Sequence, residues 1–149
     1  MKAIYKHILV PLDGSKLAEA ALKAALPLAK LSGAKVTLLQ VVWPYVRFKD
    51  KSIRVVDAAR ILKKEASRYL QAVAERPGWK KLNVSIAIKA GLAENVIIGY
   101  ARSKPIDLIV MSTHGRTGLK RWVFGSVADK VLRGATRPVL LVRAFSKGK

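Results

Sequence analysis

Two segments of the chain concentrate residue types that can grip an anion: PLDGS, Pro11 to Ser15, and STHGRTGLKRWVFGS, Ser112 to Ser126. In the second, Gly115 and Gly118 follow an apolar stretch, and Gly125-Ser126 opens a helical pattern. Glycine lets backbone N–H groups approach a ligand closely, and a helix N-terminus offers unpaired N–H donors at the positive end of its dipole, so the combination suits phosphate. His114, Arg116, Lys120 and Arg121 add donors or positive charge. Glycines alone would equally serve tight turns; their coupling to a strand end and a helix start favours the anion site. Neither G-x-x-x-x-G-K-[ST] nor G-x-G-x-x-G occurs, so P-loop hydrolysis and the dinucleotide fingerprint lose their main support.

The individual residues have rival roles. Asp13 suits a ligand contact at a strand end, and equally a capping carboxylate before Ser15. Val41 is read first as a strand residue of the core. His114 has neither a Ser/His/Asp order nor a His-x-x-x-His spacing to support catalysis or metal binding, which leaves a hydrogen bond that orders its loop.

Five short Val-, Ile- and Leu-rich stretches read as the strands that must hold these residues: His7 to Asp13, Lys35 to Val42, Asn83 to Ala90, Asp107 to Thr113 and Arg137 to Phe145. Near-continuous apolar character marks strands covered on both faces, whereas the alternation in NVSIAIKA suggests a position nearer an edge. Helical patterns lie between them. Ser15 is the expected N-cap of a helix to about Leu31, with Ala18, Ala21, Leu22, Ala25 and Ala29 on one stripe, Pro27 kinking it and Gly33 closing it. From Asp57 to Arg76 the apolar residues Ala59, Leu62, Ala66, Tyr69 and Val73 recur at helical steps before Pro77-Gly78. Shorter helices are expected over Ala93 to Arg102 and Ser126 to Gly134, the latter with Val127, Val131 and Leu132 facing inward. Strand and helix in alternation predict an α/β fold: an open, doubly wound, Rossmann-like parallel sheet of five strands with helices on both faces. Ligands in such sheets bind beyond the carboxyl ends of the strands where the winding reverses.

Composition bounds the function. A chain of 149 residues suits one compact domain, residues 1–149. It is 51% hydrophobic and 26% charged, and no apolar run approaches the ~18 residues of a membrane span, so a soluble domain without a membrane partner is expected. It has no Cys, which excludes disulfide scaffolds, thiolate zinc sites and cysteine nucleophiles, and the first residues lack a signal-peptide core, so a cytoplasmic location follows. With 29 Lys+Arg against 9 Asp+Glu, the net charge of +20 attracts polyanions, although the basic residues are spread without a long run.

Nearly the whole chain resembles the universal stress protein family, through HILVPLDGS, KVTLLQVV, IDLIVMSTHGRTGL and FGSVADKVLRGATRPVLLV in that order and spacing. Its nucleotide-binding members share a G-x-x-G-x9-G-[ST] pattern. Here His114-Gly115, nine residues, then Gly125-Ser126 match the second half, and Ser112 stands where the first Gly falls. Ser is small, and its hydroxyl can also face phosphate. The resemblance implies an ATP or other adenine-nucleotide site in which Asp13 and Val41 contact the adenosine part. Ser112, Gly115, Gly125, Ser126 and Val127 would surround ribose and phosphates, with Pro11, Leu12, Thr113, His114, Arg116 and Gly118 completing the site. Mg²⁺ would be held mainly by the phosphates, with Asp13 as the protein carboxylate.

The reading that follows is a nucleotide-binding module acting in stress-response binding or signalling. The alternatives are a slow ATP hydrolase and a nucleic-acid binder. The latter draws on the charge and on WPYVRFKDKSIR, Trp43 to Arg54, where aromatic and basic residues interleave, although these aromatics also suit packing on the next helix or a partner subunit. A homodimer through the last strand, Val139 to Phe145, is expected because that edge is apolar and the resemblance implies the same.

Overall fold

The computed structural model describes residues 4–43, 54–114 and 125–144. Strand and helix alternate through them: β1 His7–Leu12, α1 Ala20–Ser32, β2 Lys35–Val42, α2 Val55–Ala74, β3 Val84–Ala90, α3 Ala93–Ser103, β4 Leu108–Ser112, α4 Ser126–Gly134 and β5 Val139–Val142. All strand pairs are parallel, in the order β3-β2-β1-β4-β5. The chain winds from β1 outward to β3, then crosses back to β4 and β5. The reversal therefore falls between β1 and β4, and β3 is an edge strand, as its alternating sequence suggests.

Because side chains alternate across a strand, each central strand feeds two cores. Ile8, Val10 and Leu12 of β1 with Val36 and Leu38 of β2 pack under α1 and α2, against Ala21, Leu22, Ala25, Ala29, Leu70 and Val73. On the opposite face Leu9, Leu39, Ile109 and Met111 meet Ile97 and Ala101 of α3 and Ala128 and Val131 of α4. Strands buried on both faces cannot alternate with polar residues, hence the continuous apolar runs. Among the described residues no helix is long and apolar enough to cross a membrane.

Several boundaries differ from expectation. Regular helix in α1 starts at Ala20, because residues 16–22 are bonded at i→i−3 spacing (Glu19 N–H to Lys16 O, Ala20 N–H to Leu17 O). Ser15 still caps that tighter turn, its Oγ accepting the Ala18 N–H at 3.2 Å. The helix continues through Pro27 to Gly33, which closes it at φ 63. In α2 the buried stripe is Ala58, Ala66, Leu70 and Val73, while Ala59, Leu62 and Tyr69 flank it. In α4, Ala128 and Val131 face inward, Val127 is half-buried, and Leu132 is 44% exposed. A nine-residue helix on a single sheet face buries only the centre of its apolar stripe.

Candidate functional site

The two segments singled out in the sequence meet at the reversal. A cavity of about 170 Å³ opens beyond the carboxyl ends of β1 and β4, walled by Pro11, Leu12 and Asp13, by Val41, by Ser112, Thr113 and His114, and by Gly125, Ser126 and Val127. Small-molecule sites typically measure ~300 to 1,000 Å³, so this cavity is smaller than one that encloses a whole ligand. Gly115, Arg116 and Gly118 lie outside the described residues, as does WPYVRFKDKSIR apart from its ends, Trp43 and Arg54.

Each wall has a local cause. After β1 the chain turns at Asp13, whose Oδ1 accepts the Ser15 N–H at 2.9 Å and the Ser15 hydroxyl at 2.6 Å. This is an Asx turn, in which the carboxylate bonds the backbone two residues on, and it holds the carboxylate at the cavity while Ser15 does the capping. At the end of β4, Thr113 Oγ1 and His114 Nδ1 share a hydrogen bond of 3.0 Å, and the His114 N–H reaches Ser112 Oγ at 3.3 Å. Thr113 is also tied to the last strand: its N–H donates to Val142 O at 2.9 Å, and its Oγ1 accepts the Ala144 N–H at 3.2 Å. His114 is thus ordered by Ser112 and Thr113.

Gly125 plays a different part from the expected one. Its N–H is not presented to a ligand but donates to Thr113 O at 2.8 Å, and a Cβ here would stand 2.9 Å from that same oxygen. Its φ of −57 is open to any residue. Glycine is therefore required by space, as the contact where α4 docks on β4. The donors left to an anion are those of Ser126, Val127 and Ala128 in the first turn of α4, which has no side-chain cap among the described residues.

Further lining residues come from Ala18, Leu39, Ala93, Ile97, Met111 and Ala128. Period two points to Leu39 and Met111, two residues before Val41 and Thr113. Ala93 and Ile97 carry no such signal, because only the β3-to-β4 crossover brings α3 over this spot. Behind them Glu94 of α3 pairs with Lys130 of α4 at 3.2 Å. Its carboxyl is held below the usual range by its own backbone N–H, with Lys130 adding to the effect and burial opposing it.

At the opposite end of the sheet, buried His7 shares a 2.7 Å hydrogen bond with Thr37 through Nε2. Burial lowers its pKa, facing Lys35 lowers it further, and Asp107 opposes them. The Asp107 carboxylate accepts the N–H groups of Lys6 and His7 at 2.8 and 3.1 Å, aligning β4 with β1.

A parallel sheet whose order reverses beside a helix N-terminus and an apolar cleft defines the doubly wound α/β class that binds small ligands beyond its strand ends. Within that class the chain belongs to the universal stress protein family, whose model matches residues 4–143. Universal stress protein MJ0531 of Methanocaldococcus jannaschii is 35% identical over 97% of this chain and 85% of its own length. The solved structure of protein MJ0577, from the same organism, superposes with a TM-score of 0.84 at 29% identity, covering 97% of this chain and 99% of that one. A universal stress protein family member of Arabidopsis thaliana, solved with AMP bound, shares the fold at 18% identity and a TM-score of 0.67, covering 95% of this chain and 93% of that one.

Proposed function

We propose that this protein binds an adenine nucleotide between the carboxyl ends of β1 and β4 and acts as a nucleotide-dependent binding or signalling module in the stress response. One observation carries the reading: a single cavity joins apolar walls, a hydroxyl-bearing strand end and the N-terminus of α4. Leu39, Val41, Ile97 and Met111 offer a slot for a flat base, while Ser112, Ser126 and the first N–H groups of α4 suit ribose and phosphates. Gly115, Arg116 and Gly118 extend the same chain segment between Ser112 and Gly125. AMP in a relative of the same fold supports adenine nucleotides as the ligand class. Asp13 is the one carboxylate among the described lining residues, placed to meet a ribose hydroxyl or a Mg²⁺ carried by ATP. A chain without Cys suits the reducing cytoplasm. The protein works as a homodimer through β5.

Calorimetry of the purified protein with ATP, ADP, AMP and cyclic AMP, with and without Mg²⁺, tests this directly. Asp13→Asn keeps the oxygen that accepts from Ser15 and removes the charge. Its affinity for ATP–Mg²⁺ should fall about tenfold, ~1.4 kcal/mol, with little change in melting temperature. Equal affinities with a lowered melting temperature would make Asp13 purely structural, and failure of the wild type to bind any of these nucleotides would overturn the reading.

A further inference from the structure

The end of the sheet opposite the cavity carries a charge pattern of its own. Lys6 precedes β1, Lys35 opens β2, Lys81 stands in the turn three residues before β3 and Arg137 two residues before β5, all of them exposed. Backbone hydrogen bonds set these strand starts level. The Lys35 N–H donates to Lys6 O, the Val36 N–H to Asn83 O and the Ile109 N–H to Pro138 O, each at 2.9 Å. With strands ~4.8 Å apart, the rim from β3 to β5 is about 19 Å long.

Among the described residues nothing in the fold accounts for these four cations. Cations in the last turn of a helix, such as Lys30 of α1 and Arg102 of α3, complement the helix dipole. Strand starts offer no such field, since sheets have only small net dipoles. Asp107 lies on the rim, but its two oxygens already accept backbone N–H groups. Among the described residues the ion pairs engage Arg54, Arg60, Arg76, Lys130 and Arg133, and none of the rim cations. Like charges held in a row on a rigid edge repel one another, and a polyanion laid along them relieves that repulsion.

We propose that this rim is a docking surface for the sugar-phosphate backbone of nucleic acid, separate from the cavity at the other end of the strands. A row of cations along a sheet edge fits a linear polyanion, and duplex DNA presents one charge per ~1.7 Å of its axis. A lipid surface fits less well. Peripheral membrane binding draws on an amphipathic face, whereas the large aliphatic residues exposed near this end are Ile4, Leu31 and Leu132, of which Leu31 and Leu132 sit on helices that cover opposite faces of the sheet. The contact reads charge and not sequence.

The test is fluorescence anisotropy of a labelled DNA duplex with the full chain, from about 50 to about 200 mM salt. The rim variant combines Lys6→Gln, Lys35→Gln, Lys81→Gln and Arg137→Gln. A control of equal charge combines Lys23→Gln, Lys63→Gln, Lys64→Gln and Arg68→Gln on the outer faces of α1 and α2. Each phosphate contact contributes about 0.9 to the slope of log affinity against log salt, so the rim variant should lose up to about 3.6, and Lys81→Gln or Arg137→Gln alone about 0.9. The control should change it far less, and saturating AMP should leave DNA binding intact. The proposal is overturned by a wild type that fails to bind duplex at the lowest salt, by equal losses in rim variant and control, by competition from AMP, or by binding to phosphatidylserine vesicles in place of DNA.

Discussion

At the scale of single residues, position decides chemistry more than residue type does. Gly125 belongs to the glycine pattern that resembles a phosphate loop, yet its lack of a side chain serves the 2.9 Å approach to Thr113 O. Gly125→Ala should therefore destabilise the fold by about 1 to 3 kcal/mol, through overpacking and the strained hydrogen bond to Thr113, as read by urea denaturation. An alanine variant of native stability that had lost nucleotide affinity would return this glycine to the ligand. His7 sets a pH limit. Burial and Lys35 hold its pKa below its value in the unfolded chain, about 6.5, so the unfolded chain takes up the proton first as pH falls. Stability from this group is complete above about pH 6.5 and is lost as pH falls toward the folded-state pKa. Melting temperatures measured on either side of that pH should show the loss in the wild type and a smaller one in His7→Gln. Identical pH profiles would exclude His7 as the cause.

At the scale of elements, α1 and α2 are clamped by one carboxylate. Glu19, at the start of α1, accepts from the Tyr69 hydroxyl at 2.6 Å and from both terminal nitrogens of Arg76 at 2.9 and 3.2 Å. Burial raises its pKa, but the hydrogen bonds from Arg76 and Tyr69 outweigh that and leave it lowered. Tyr69 is pushed well above its usual value by burial and by Glu19. The Arg76 side chain is 43% exposed, so solvent screens the pair. A double-mutant cycle of Glu19→Gln and Arg76→Gln should give a coupling of no more than about 1 kcal/mol. The coupling should be present above the usual carboxylate range and disappear as acid protonates Glu19. A zero coupling at neutral pH would show that Arg76 adds nothing to the Tyr69 hydrogen bond and to the packing of Leu70 and Val73 that hold α2 in place.

At the scale of the molecule, β5 closes one side of the sheet with its outer edge unpaired among the described residues, and Leu140 on it is 38% exposed. An apolar edge of this kind is suited to a second copy of the chain. Light scattering at micromolar concentration should find a dimer for the wild type and a monomer for Leu140→Lys, which sets a charge in the seam. A monomeric wild type, or a variant that stays dimeric, would contradict the assembly. Because Val142 and Ala144 bond to Thr113, the same edge braces the strand end that forms one wall of the cavity.

The fold class was legible in the sequence because burial on two faces writes a local signature: β1, β2 and β4 are continuous apolar runs, and the stripe from Ala18 to Ala29 repeats at helical spacing. Pro11 to Asp13, Ser112 to His114 and Gly125 to Val127 were also legible, since strand ends and a helix start are local features, whereas Val41 read locally as core and joined them only through the family resemblance. What the sequence could not contain was any fact needing two distant segments at once. The burial of Ala58 and Leu70 in place of Ala59 and Tyr69 depends on how α2 is rolled on the sheet. The place of Ala93 and Ile97 in the cavity depends on the crossover that lays α3 beside it. The rim of Lys6, Lys35, Lys81 and Arg137 is scattered over the chain and becomes a row only when parallel strands are hydrogen-bonded in register. The use of Gly125 was hidden for the same reason, since a backbone oxygen 12 residues earlier in the sequence reaches it only after α4 has docked on β4.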